Sequence, residues 1–212
     1  MARPLILLPP SEGKRAGGRG APWSERTHRF PQLDGPRREV IHALRCVMHA
    51  NGEACRTLLG VRSPAADVAI ASNVALDSAP TMPAIQRYAG VLYESLDYRS
   101  LPRRLRDRID AQVVIVSGLW GLVAPRDPIP DYKLKMGASL APVGRLAMHW
   151  RPHLSPVLDE HVAGRAVWDL LPLEHASAWK HDGRSATRIG VRFLDDVPRD
   201  GVRQLVTVSH WN

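Results

Sequence analysis

Lysine is the scarce cation of this sequence. Of 29 basic residues only Lys14, Lys133, Lys135 and Lys180 are lysines; the rest are arginines. An ammonium is a compact charge that gives up its proton when buried, whereas a guanidinium is a planar fork that stays charged. Lysine kept at four places marks them for chemistry that an ammonium performs. Two of the four frame one leucine, in Lys133-Leu134-Lys135. In extended backbone these lysines point to one side and Leu134 to the other. Neighbouring like charges repel, so an anion held between them gives the pairing a purpose. The plainer alternative is two solvated lysines guarding an edge strand.

Lys14 closes the segment Ser11-Glu12-Gly13-Lys14, and Glu174 opens a third polar segment that ends at Lys180. If all three segments leave one edge of a sheet, Glu12, Lys14, Tyr132, Lys133 and Glu174 form a catalytic set. Ser11, Tyr93, Ser117, Gly118, Trp120, Lys135 and Lys180 then line the ligand. Lysines and backbone amides would hold a phosphate, and Trp120 or Tyr132 would stack a base. Glu12 or Glu174 would act as general acid or base. For a nucleoside or nucleotide, that set suits cleavage or transfer at the glycosidic bond, where a carboxylate stabilises a developing cation or activates water. The plainer fate of each carboxylate is an ion pair with one of the many arginines.

The elements that must position these groups are readable in outline. PLILL (4–8) predicts a short buried strand ended by Pro9-Pro10, and QVVIVSG (112–118) the main strand. The loop after it, LWGLVAPRDPIPDY, is stiffened by Pro125, Pro128 and Pro130, which limits the entropy lost on binding. Apolar residues at helical spacing predict helices over 36–49, 52–59 (stopped by Gly60), 83–96, 142–149 and 154–162. Ser63 and Pro64 read as cap and first turn of a further helix, and SLPRRLRDRIDA (100–111) as a basic amphipathic helix capped by Ser100. The Gly60 turn loosely matches a hairpin whose helix N-terminus faces a nucleic-acid backbone; plain packing is the simpler reading. RAVWDLL (165–171) reads as a strand and EHASAWK (174–180) as a short helix. TRIGVRFL (187–194) and RQLVTVS (203–209), joined by PRDG, alternate like an antiparallel hairpin. The fold class is α+β: a single domain over 1–212 with a mixed sheet flanked by helices and a helical insert at about 36–110.

Composition narrows the function classes. With 44% hydrophobic and 24% charged residues the chain is an ordinary globular one. LILL and VVIV are far shorter than the roughly 20 residues a membrane span needs, and no secretory leader precedes them, so a cytoplasmic protein with no membrane partner is expected. The net charge of +8 favours DNA or a nucleotide-like anion as partner. Cys46 and Cys55 read as buried thiols. His149 and His153 share a helical spacing, but Pro152 between them argues against one helix. No metal site and no cofactor are expected.

The motifs LLPPSEGK, YAGVLYESLDY, SGLWGLVAPRDPIPDYKLKMG, WRP, WDLL and TVSHWN together resemble the YaaA family of peroxide-stress proteins, over nearly the whole chain. That resemblance implies a single α+β domain of unusual topology. It also implies a cytoplasmic protein linked to oxidative stress, DNA binding and control of free iron, without a settled biochemical activity. Two departures stand out. The sequence stops at Ser209-His210-Trp211-Asn212, where the family continues into a basic stretch, so that stretch is either absent or lies beyond this sequence. After Asp169-Leu170, Pro172 and His175 stand where family members tend to carry Ser and Tyr. These features leave two expectations: a nucleic-acid-binding protein of the oxidative-stress response, or an enzyme acting on a small nucleotide or nucleoside.

Overall fold

The computed structural model describes residues 3–24, 27–50, 52–60, 64–192, 194–199 and 202–207. The apolar run LILL forms β1 (Leu5–Leu8), stopped by Pro9-Pro10, which cannot continue a central ladder. A short β2 (Gly13–Lys14) follows. Three helices come next, α1 (Asp34–Ala50), α2 (Gly52–Leu59) and α3 (Ala65–Val74). Short elements β3 (Met82–Pro83), α4 (Ala84–Arg87), β4 (Tyr88–Ala89) and α5 (Val91–Leu96) then lead to α6 (Arg103–Gln112). The wholly buried β5 (Val113–Ser117) turns back through β6 (Gly121–Val123). Beyond them lie β7 (Pro128–Ile129), β8 (Ser139–Leu140), β9 (Gly144–Arg145) and the long α7 (Leu146–Val162). The chain ends in β10 (Ala166–Asp169), α8 (Leu173–Ala176), β11 (Thr187–Gly190), β12 (Leu194–Arg199) and β13 (Val202–Thr207).

The main sheet has five strands in the order β11-β10-β1-β5-β6. β1 lies between β10 and β5, parallel to both, with Leu7 opposite Asp169 and Leu8 opposite Ile115. β11 extends the parallel set, and only β6 runs antiparallel. The fold is therefore the expected α+β class, a mixed sheet flanked by helices. Its decisive consequence is directional: β1, β5 and β10 all deliver their following loops to one edge, where sites of open parallel sheets form.

Two glycines let the turn after β5 close. Gly121 has φ +68°, and a Cβ there would lie 2.7 Å from the Trp150 ring. A Cβ on Gly118 would lie 2.9 Å from the Met136 backbone nitrogen. Arg37, fully buried, donates to the carbonyls of Trp120 and Leu122 at 2.9 and 2.8 Å and pairs with Asp34 at 2.7 Å, tying α1 to this turn.

Several sequence expectations need correction. Helical segments 142–149 and 154–162 are one helix, α7, with Pro152 and Pro156 inside it. Each internal proline costs about 3 kcal/mol. The stripe Leu146, Trp150, Leu154, Leu158 and Val162 is buried at spacing of four, and each such side chain contributes about 1.5–3 kcal/mol, so burial wins. His149 and His153 consequently do share a helix, with rings 5.2 Å apart. Residues 187–190 do not enter the terminal hairpin; they add in parallel to β10, beside an Arg188–Asp169 ion pair of 2.6 Å. The hairpin shifts to β12 and β13, with Arg199 opposite Val202. Ser100 does not cap α6. Pro102 precedes the helix and disfavours helical backbone at Leu101, while Ser100 Oγ donates to the Asp97 carbonyl at 2.9 Å. Cys46 is exposed and only Cys55 is buried. Trp150 and Trp179 are core residues, whereas Trp168 is 43% exposed. Residues 61–63, Ser63 among them, and the segment 208–212 lie outside the described residues.

Candidate functional site

The segment after β1 folds back as β2 and pairs with β4, placing Lys14 opposite Tyr88. Ser11 is anchored by a hydrogen bond from its hydroxyl to the Ala89 carbonyl, and Tyr93 donates to the Pro9 carbonyl at 2.6 Å. These bonds fix both sides of Glu12 and aim Lys14 inward. The Lys14 amine lies 4.2 Å from the centre of the Tyr132 ring and donates to the carbonyls of Ser11 and Glu12 at 3.2 and 3.5 Å. Among the described residues it has no carboxylate partner. Burial, then the nearby cations Lys133 and Arg87, outweigh the pull of Asp131 and Glu12 and bring the Lys14 pKa down to about 7.

Beneath the amine runs a chain of buried hydroxyls. The Ser117 oxygen accepts the N–H groups of Leu119 and Trp120, both at 3.2 Å, which leaves its own proton for Tyr132 at 2.8 Å. Tyr132 in turn meets the Tyr88 hydroxyl at 2.7 Å. Burial, partly offset by the Ser117 and Tyr88 bonds, pushes Tyr132 up to about 12. Tyr132 therefore stays protonated and serves as the floor under Lys14.

The lysine pair comes from the loop after β5, and the fold clamps it. Asn73 on α3 accepts the Lys133 N–H and donates to the Lys133 carbonyl, both at 2.9 Å. Gly60, at the C-terminal end of α2, faces the Lys135 amine; a Cβ on Gly60 would lie 3.7 Å from it. A cation suits the carbonyl-rich end of a helix. The expected anion between the lysines is present, and the chain itself supplies it: Glu12 meets Lys133 and Lys135 at 2.9 Å each, one carboxylate oxygen apiece. Burial raises the Glu12 pKa, but the bonds and charges of the two lysines prevail and hold it at about 2. The third exit delivers Glu174. A Cβ on Gly137 would lie 1.6 Å from Glu174 Oε1, so this carboxylate rests against the end of the lysine loop.

Three strand exits thus meet: Ser11, Glu12 and Lys14 after β1; Ser117, Gly118, Tyr132, Lys133 and Lys135 after β5; Glu174 after β10. Two expected members differ. Trp120 is fully buried against Trp23 and His28, with ring centres 5.2 Å away, and offers no face for a base. Its loop is apolar because it is core. Lys180 is tethered to α7 through its backbone N–H, 2.9 Å from Ser155 Oγ, and its side chain is exposed. Tyr132, at 2% exposure, and Tyr93, at 4%, support the site from below and do not stack on a ligand. Asn73 and Tyr88 escaped the sequence reading. Asn73 had a signal, because a buried amide inside a helix needs a partner elsewhere.

Elsewhere, Asp159, His181 and Asp182 bring ligand atoms within 4.8 Å of one another. Asp159 Oδ1 already accepts the Trp179 indole at 2.9 Å, and Asp182 Oδ1 closes its own turn on Arg184 and Ser185 at 2.8 Å. A cavity of about 650 Å³ is lined by Arg29, Arg103, Arg106, Asp107, Asp110 and Arg126. A second, of about 510 Å³, shares Arg126 and adds Arg19 and Arg99. The first flanks the entry to β5, where Asp110 and Ala111 closely precede the strand, the opposite end from the lysine loop.

The protein is thus an α+β protein with a cationic cluster at the common exit of three parallel strands. The chain belongs to the YaaA family: the family model for "Peroxide stress protein YaaA" matches residues 5–212. It is 38% identical over 209 residues to a UPF0246 protein of Streptomyces coelicolor, covering 98% of this chain and 78% of that one. A UPF0246 protein of Corynebacterium glutamicum is 34% identical over 215 residues, covering 98% and 80%. An uncharacterized protein of Campylobacter jejuni is 30% identical over 168 residues, covering 78% and 66%. No helix of the described residues is long and apolar enough to cross a membrane.

Proposed function

We propose that this peroxide-stress family member binds a phosphate-bearing, nucleotide-like ligand at the shared strand exit, with Lys14 as the base of a reaction there. The observation that carries the proposal is the Lys14 amine, held 4.2 Å from the centre of the Tyr132 ring and, among the described residues, without a carboxylate partner, an environment that brings its pKa down to about 7. A base works best when its pKa lies near the working pH. Lys133 and Lys135 supply charge for the phosphate, and Glu174 rests against Gly137 at the end of the lysine loop. For a nucleoside 5′-phosphate the reaction this supports is cleavage or transfer at the glycosidic bond. As water adds to the anomeric carbon and the carbon–nitrogen bond to the base breaks, Lys14 takes the water's proton. The base leaves with the bond's electrons and takes a proton from solvent, and Glu174 is the carboxylate assigned to the cation developing on the sugar. Glu12, ionised by its two lysines, is not a proton donor at neutral pH.

Nucleic-acid binding is the second reading, and the arginine-lined cavities around Arg126 favour it, since planar guanidinium forks suit phosphate. One set of titrations separates the two. Nucleoside phosphates should raise the melting temperature and release free base, and Lys14→Met should abolish release while retaining binding. Duplex DNA binding, if the second reading holds, should fall steeply with salt and be lost in Arg126→Gln, not in Lys14→Met. Failure of every nucleoside phosphate to shift melting contradicts the first reading.

A further inference from the structure

We propose that Glu12 sits in the seat of the ligand's phosphate, and that a phosphate group binds by displacing it from Lys133 and Lys135. This rests on the ligand class proposed above and adds how the site is regulated. The geometry is that of a substitution. One carboxylate sets one oxygen on each ammonium at 2.9 Å, an arrangement a phosphate reproduces with two of its own oxygens.

The three partners are not held alike. Lys133 is fixed through its backbone by Asn73, and its side chain is only 17% exposed. Lys135 lies against Gly60 at the end of α2. Glu12 is 55% exposed and is carried on a turn whose neighbours, Ser11 and Lys14, are anchored independently of its side chain. A change of side-chain rotamer therefore releases Glu12 into water and leaves both lysines in place. Charge favours the exchange. Two ammoniums against one carboxylate keep a positive excess, whereas a phosphate dianion cancels both. Because Glu12 stays ionised down to about pH 2, it competes throughout the physiological range. The chain thus carries its own competitor, which sets a threshold for weak anions and favours dianionic phosphate over monoanionic carboxylate.

The test is isothermal titration of the full chain with inorganic phosphate and with adenosine 5′-monophosphate, in wild type, Glu12→Gln and the double variant Glu12→Gln/Lys133→Met. Removing the carboxylate should tighten phosphate about tenfold, the scale expected for losing two partly exposed ion pairs, and the double variant should lose the gain. Far-ultraviolet circular dichroism confirms that each variant is folded. If wild type binds adenosine monophosphate and Glu12→Gln binds it no tighter, displacement is wrong while the ligand class stands. If neither protein binds either phosphate, the ligand class and the displacement fall together.

Discussion

Lys14 is where folding and chemistry pull against each other. An amine that keeps its ordinary pKa near 10.5 in the unfolded chain is brought to about 7 by folding, chiefly by burial. Between these values the unfolded state binds more protons, so the Lys14 contribution to stability improves as pH rises from about 7 to about 10.5. Below pH 7 both states hold the proton and the full penalty remains. Lys14→Met should therefore be more stable than wild type at neutral pH, with the difference shrinking towards pH 10.5. Urea unfolding at a series of pH values reads this directly, and a difference that does not change with pH would contradict it. Such a standing cost is the kind that functional groups impose on a fold. The scarcity of lysine already pointed to this residue. That Glu12 would occupy the lysine pair was not legible, because only the pairing of β2 with β4 turns it towards them.

At the scale of elements, the site depends on a clamp between α3 and the loop after β5. Asn73 holds both backbone groups of Lys133, and Asn73→Ala leaves an N–H and a carbonyl without their partner. The expected loss is about 2–3 kcal/mol of stability, with weaker phosphate binding measured at a temperature where the variant is folded. Unchanged binding would mean that the lysine needs no backbone anchor. The strands that build the site edge were legible: LILL and VVIV are continuous apolar runs, as parallel strands buried on both faces require, whereas AVWD buries Val167 and Asp169 and exposes Trp168. Less legible were elements decided by tertiary contact. The prolines of α7 read as a break, yet a stripe of five buried side chains outweighs them. Thr187–Gly190 alternates like a hairpin strand, yet the free edge of β10 captures it. The sequence offers Trp120 as a platform for a base, with Gly118 and Gly121 on either side of it. Those glycines instead let Trp150 and the Met136 backbone approach closely, which buries the loop.

Across the whole molecule, the two edges of the sheet carry different cations. Lys14, Lys133 and Lys135 gather where β1 and β5 end, and Arg29, Arg103, Arg106 and Arg126 line the cavity at the entry to β5. A titratable amine belongs with proton transfer and a permanent fork with phosphate recognition, so one family fold can hold both capacities apart. The central claim is that the meeting of the β1 and β5 exits creates a lysine whose pKa is brought down to about 7. Nitrogen-15 lysine NMR across a pH titration of the full chain tests it most directly. The Lys14 resonance, assigned by its loss in Lys14→Met, should titrate at about 7. A Lys14 midpoint at the ordinary lysine value of 10.5 would contradict the claim and remove the base from the proposed site.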